Sequence, residues 1–106
     1  MSYAYVLDEE LNAIAVDDQG LEEYIKRNGN PVKHIAFNYV EDVLISTIFL
    51  SANCQWNPDK PPLFFETEVF GGELDRMQTR YSTYEQAVAG HRAIVDLVLS
   101  QSLIPA

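Results

Sequence analysis

Apolar and polar positions alternate with different periods along the chain, and the changes of period delimit the predicted elements. Tyr3 to Leu7 and Ala13 to Val16 are short β-type runs, separated by the polar stretch Asp8-Glu9-Glu10-Leu11-Asn12. That layout predicts a β-hairpin. Asp17-Asp18 supplies a helix N-cap, and Glu22 and Glu23 suit the positive end of the helix dipole. Leu21, Tyr24 and Ile25 then fall at i, i+3 and i+4, giving one apolar face, while Lys26, Arg27 and Asn28-Gly29 mark the helix end.

Beyond Pro31 the period drops to two residues. His34 to Val40 reads as a strand, Glu41-Asp42 as a tight turn, and Val43 to Leu50 as a strand rich in β-branched residues. Ser51 to Pro62 is a proline-stiffened loop that is polar except for Trp56. In the next strand, Leu63 to Phe70, one face carries Leu63, Phe65, Thr67 and Val69 and the other carries Phe64, Glu66, Glu68 and Phe70. Gly71-Gly72 is a turn, and Met77 to Tyr81 returns as a strand. Ser82-Thr83-Tyr84-Glu85 reads as a capping box, with Ser82 as N-cap and Glu85 at N3. It opens a helix whose stripe runs Tyr84, Ala87, Val88, His91, Ile94, Val95, Val98; Arg92 and Asp96 lie off that stripe. Pro105 ends the pattern. The order β-β-α-β-β-β-β-α predicts one α+β domain over residues 1–106: a hairpin and a four-strand antiparallel meander, with a short helix and a long C-terminal helix packed on the sheet.

Composition narrows the functions open to such a domain. With 7 basic and 16 acidic residues the formal charge is −9, which argues against direct binding of a nucleic-acid backbone. Residues 1 to 25 hold seven acidic side chains (Asp8, Glu9, Glu10, Asp17, Asp18, Glu22, Glu23) and no basic one. An acidic end of this kind can occupy a basic groove on another protein, or can be a solubilising surface. No apolar run is long enough to span a membrane, and Met1-Ser2-Tyr3-Ala4-Tyr5 lacks the marks of an export signal, so a cytoplasmic protein is expected.

The other candidate groups each have an ordinary alternative. Glu66 and Glu68 project from one strand face and could hold a divalent metal or do acid/base work; Arg76 or Arg80 could instead neutralise them as cross-strand partners. His91 lies on an apolar stripe without a sequence-adjacent nucleophile, so a packed histidine bonded to the sheet is favoured, with Glu66 or Thr67 as possible partners. Cys54, His34 and His91 lack the spacing of a zinc site, and Gly71-Gly72 precedes no helix that would make a phosphate loop. Neither metal nor cofactor is expected.

Several segments resemble a family of small uncharacterised bacteriophage and prophage proteins. They are Tyr5-Val6-Leu7-Asp8-Glu9 with Val16-Asp17-Asp18; Ile45 to Leu50; Pro62 to Gly72; and Arg80 to Ala87 running on to Gly90-His91. After Leu50 the chain departs from the family's pattern, with Ala52-Asn53-Cys54 where a His commonly stands. The resemblance implies a phage-encoded protein acting in the bacterial cytoplasm; it implies no activity and no site residue. The leading expectation is an accessory protein that binds a host or phage protein, for instance as an inhibitor of a defence or nucleic-acid enzyme. A small enzyme or metal-dependent domain using Glu66, Glu68 and His91 is the second reading. A virion structural or assembly protein, forming homo-oligomers through an exposed strand edge, is the third.

Overall fold

Asp8 shapes the first turn. In the computed structural model, which describes residues 4–102, its Oδ1 accepts the backbone N–H groups of Glu10 and Asn12, each at 2.9 Å. Leu11 takes a left-handed φ of 66° to close the loop. The flanking segments pair antiparallel as β1 (Ala4–Leu7) and β2 (Ala13–Val16), with Ala4 opposite Val16 and Leu7 opposite Ala13. Tyr3 and Pro105 lie outside the described residues. Asp17 caps α1 (Asp18–Asn28) by accepting the Gly20 N–H at 2.8 Å, and Gly29, at φ 80°, ends it by donating to the Ile25 carbonyl. The expected apolar face of α1 is only partly used: Leu21 and Tyr24 are half-buried, but Ile25 is 45% exposed and no residue of the helix is fully buried. The cause is packing, since α1 lies against β1 and β2 and not on the larger sheet.

That larger sheet is a four-strand antiparallel meander, in the order β3 (Lys33–Val40), β4 (Val43–Phe49), β5 (Phe65–Phe70), β6 (Gln78–Tyr81). A two-residue turn, Glu41-Asp42, joins the first pair, and a bulge between His34 and Ala36 interrupts the β3 register. Gly71 and Gly72 supply φ values of 99° and 70° at the end of β5. One face of the sheet, carrying Ile45, Thr47, Phe49, Phe65, Thr67 and Val69, is covered by α2 (Tyr84–Ser102). Burying a large side chain such as Phe49 or Phe65 there contributes about 1.5–3 kcal/mol. The α+β architecture read from the periodicity is therefore the observed one.

Some details of the expected pattern shift. The helix cap sits one residue later than Ser82 and Glu85: Thr83 Oγ1 accepts the Gln86 N–H at 3.1 Å, and Gln86 Oε1 accepts the N–H groups of Ser82 and Thr83. Val88 is 44% exposed and not on the sheet-facing stripe, because His91, Ala87, Ile94 and Val98 take the contact arc. Phe64, expected beside Glu66 on the open face, is buried against Leu7, Phe49 and Phe65, with the Tyr5 ring 4.7 Å away. Tyr5 also donates its N–H to the Ser51 carbonyl and accepts the Ser51 hydroxyl, so the hairpin is fastened to the end of the meander. Among the described residues no helix is long and apolar enough to cross a membrane.

Candidate functional site

The buried polar residues of the sheet form one connected row. Two apolar clusters make up the core, Leu7-Phe49-Phe64-Phe65-Tyr81-Ala87 and Val40-Ile45-Val69-Ile94-Val98. Between them along β4, β5 and α2 come Thr47, Thr67 and His91, exposed by only 0%, 1% and 6%. His91 Nε2 lies 2.7 Å from Asn38 Oδ1, and Nδ1 lies 2.6 Å from Thr47 Oγ1. Thr47 Oγ1 is bonded to Thr67 Oγ1, which accepts the Tyr81 hydroxyl at 3.1 Å. An amide oxygen can only accept, so Nε2 carries the ring proton and donates to Asn38. Burial pushes the His91 pKa below its ordinary 6.5, which favours the neutral ring. Nδ1 then accepts from Thr47, Thr47 from Thr67, and Thr67 from Tyr81. The hydrogens thus run one way from Tyr81 to Asn38, and no buried side-chain polar atom among the described residues lacks a partner.

This arrangement makes His91 a structural residue bonded into the sheet. Thr67 reaches it only through Thr47, and Glu66 does not reach it at all, because Glu66 and Glu68 project from the opposite face of β5. Their partners are on β6 and the turn before it. Arg80 Nε lies 3.0 Å from Glu66 Oε1, Arg76 Nε lies 3.6 Å from Glu68 Oε2, and Gln78 Nε2 donates to Glu68 Oε1 at 2.9 Å. Glu66, Glu68 and His91 are therefore not brought together. Among the described residues no three His, Cys, Asp or Glu side chains gather closely enough to hold a metal ion, and this covers Cys54, His34 and His91.

The acidic N-terminal arm, β1 through α1, is different in kind. Two of its acids are committed to the fold, Asp8 in the hairpin turn and Asp17 at the helix cap. Glu22 makes an exposed ion pair with Lys26 at 3.4 Å. The side chains of Glu9, Glu10, Asp18 and Glu23 are exposed and take part in none of the described hydrogen bonds or ion pairs. Between them the arm also exposes Leu11, Ile14 and Ile25 at 38%, 43% and 45%. A cleft of about 680 Å³ separates the arm from the start of β3, lined among others by Leu7, Leu11, Ile14, Tyr24, Arg27 and Lys33. Lys33 spans it, with Nζ donating to the Asn28 carbonyl at 3.0 Å and lying 5.6 Å from the centre of the Tyr24 ring. A second cleft, of about 190 Å³, lies at the other end of the sheet beside Val43, Gly72, Leu74 and Val98. Neither cleft is lined by His91, Thr47 or Thr67.

Thr47, Asn38 and Tyr81 are the participants that sequence reasoning missed. For Thr47 the signal is a hydroxyl at an inward position of an otherwise apolar alternation, between Ile45 and Phe49. In comparison with known proteins, the chain matches no protein family, no curated protein and no solved structure.

Proposed function

We propose that this chain is a phage accessory protein that works by binding another protein in the cytoplasm of the infected bacterium, with its acidic arm as the contact surface. The partner is a protein with a basic groove, of the kind that handles nucleic acid, and occupation of that groove inhibits it. The observation that carries this reading is that Glu9, Glu10, Asp18 and Glu23 are exposed, outside the described hydrogen bonds and ion pairs, on the same arm that exposes Leu11, Ile14 and Ile25. Exposed apolar side chains beside charged ones are the makings of a protein interface, and the acidic excess of the arm suits a basic partner. Asp8 and Asp17 shape the arm and are not counted among the contacting acids.

The test is capture of the partner from infected-cell lysate, followed by binding kinetics with the purified pair. Reversing Glu9, Glu10 and Glu23 to Lys leaves the described turn and cap bonds in place. It is expected to slow association at least about tenfold, since steering acts on the encounter. The paired variant Glu66→Gln with Glu68→Gln, on the open sheet face, is expected to leave association unchanged. Equal association of the arm variant and the wild type would overturn the proposal.

A further inference from the structure

The two edges of the meander are protected unequally. β6 is only four residues long and carries Arg80. Short strands and charged side chains are the usual devices that keep an edge from pairing with another chain. β3 has eight residues, and its bulge and its one basic pair, Lys33-His34, are confined to its first half. The second half, Ala36-Phe37-Asn38-Tyr39-Val40, is regular, uncharged and free of proline. Among the described residues no strand pairs with its outer side.

The hairpin fixes which main-chain groups are free. A two-residue turn makes Val40 and Val43 the closing pair, which exchange both hydrogen bonds. Alternation then directs the N–H and C=O of Val40, Asn38 and Ala36 to β4, and those of Phe37 and Tyr39 outward. On β4 the complementary alternation is observed, because Leu50, in phase with Ser46 and Ile48, donates its N–H to Phe64 on the β5 side. Phe37 and Tyr39 also carry the exposed rings, at 64% and 66%.

We propose that this edge pairs with the same edge of a second copy of the chain, antiparallel, about a two-fold axis at Asn38. Three observations favour a second copy over another strand. The segment is self-complementary about Asn38: Phe37 meets Tyr39 and Ala36 meets Val40, each twice, and the outward main-chain groups of Phe37 and Tyr39 form four hydrogen bonds across the axis. The turn of one copy, Glu41-Asp42, falls beside Ile35 and His34 of the other, one residue from Lys33, so the acidic turn of each edge meets the basic start of its partner's. The acidic arms lie at the Lys33 end of β3, so an antiparallel pair holds them at opposite ends. The exposed surface of the two rings is roughly 250 Å² per copy, part of which the pairing covers, so with the main-chain edge the interface is smaller than a standard one and a weak dimer is expected. At the axis the Asn38 amides, each bonded to its own His91, face one another.

Sedimentation over a concentration series, up to about 500 µM, tests this for the full chain. A species of twice the 12.0 kDa chain mass is expected. Phe37→Lys with Tyr39→Lys, both on exposed positions, is expected to weaken the dimer more than about a hundredfold with an unchanged circular dichroism spectrum. The register is read by oxidative cross-linking in a Cys54→Ser background. Asn38→Cys brings the two Cα atoms of a non-hydrogen-bonded pair to about 4.5 Å and is expected to form an intermolecular disulfide. Phe37→Cys leaves its two copies roughly 8–9 Å apart and is expected not to. A monomer throughout the series, a dimer insensitive to the lysine pair, or cross-linking of Phe37→Cys in place of Asn38→Cys would each overturn the proposal.

Discussion

Replacing Thr47 by Val changes almost nothing in shape and removes the central hydroxyl of the Tyr81-to-Asn38 row. Thr47 is 0% exposed, so no solvent can take the place of the lost group. Two partners are affected: His91 Nδ1 loses its donor, and the Thr67 hydroxyl loses its acceptor while still accepting from Tyr81. A buried group left without a partner costs about 1–3 kcal/mol. The methyl that replaces the hydroxyl returns up to about 0.8 kcal/mol of apolar burial. The expected net loss is about 2–4 kcal/mol, which for a domain of this size lowers Tm by roughly 8–20 °C. Urea denaturation followed by far-ultraviolet circular dichroism is the suitable assay, because Trp56 is 88% exposed and reports poorly on the core. Ser46→Val, half-buried on the opposite face of the same strand, is the control and is expected to shift stability by less than about 0.5 kcal/mol. A double-mutant cycle between Thr47→Val and His91→Leu is expected to give a coupling of about 1 kcal/mol or more. A Thr47→Val protein as stable as wild type would refute the reading of this row as a satisfied, stabilising network.

Other consequences can be checked in the same way. Gly90→Ala would drive a methyl group into the Tyr81 ring; a net loss of about 2–4 kcal/mol is expected despite the better helix propensity of alanine, read as a lower urea midpoint. Val95→Ala, which removes a partly buried side chain packed on the Ile45-Val69-Ile94 cluster, is expected to cost about 1 kcal/mol, and Val88→Ala less than about 0.5 kcal/mol; equal urea midpoints would contradict the placement of these residues. The folded protein holds His91 below its ordinary 6.5, so between the two pKa values the unfolded chain binds more protons than the folded one. Stability is therefore complete above about pH 6.5 and declines as the pH falls below it, and His91→Asn is expected to flatten the profile between pH 7 and about 5.5.

The elements were legible because each rests on local chemistry. Period-two runs ending at Glu41-Asp42 and Gly71-Gly72 form the meander, and the stripe containing Ala87, His91, Ile94 and Val98 forms its covering helix. What local chemistry could not show was which of two neighbouring residues wins a competition. Thr83 accepts the Gln86 N–H and Gln86 accepts those of Ser82 and Thr83, where Ser82 and Glu85 offered similar side chains one position earlier. Phe64 leaves the expected alternation because a non-local partner, the hairpin bearing Tyr5, covers it. The partner of His91 was hidden for a similar reason. Thr47 is 44 positions away and Asn38 is 53, and only the β3-β4-β5 register places them at the ring. The ordinary reading of Glu66 and Glu68 needed only the strand pairing, which sets Arg80 opposite Glu66 and Gln78 opposite Glu68.

The account of function rests on the acidic arm, and the salt dependence of its association with the captured partner tests it most directly. Stopped-flow association is measured between about 50 and 500 mM salt, over which the screening length falls from about 14 Å to about 4 Å. The rate constant is predicted to fall at least about tenfold across that range, and the Glu9, Glu10 and Glu23 to Lys variant is predicted to associate slowly throughout with little salt dependence. A wild-type rate constant that stays level from low to high salt, and that the variant reproduces, would contradict the claim.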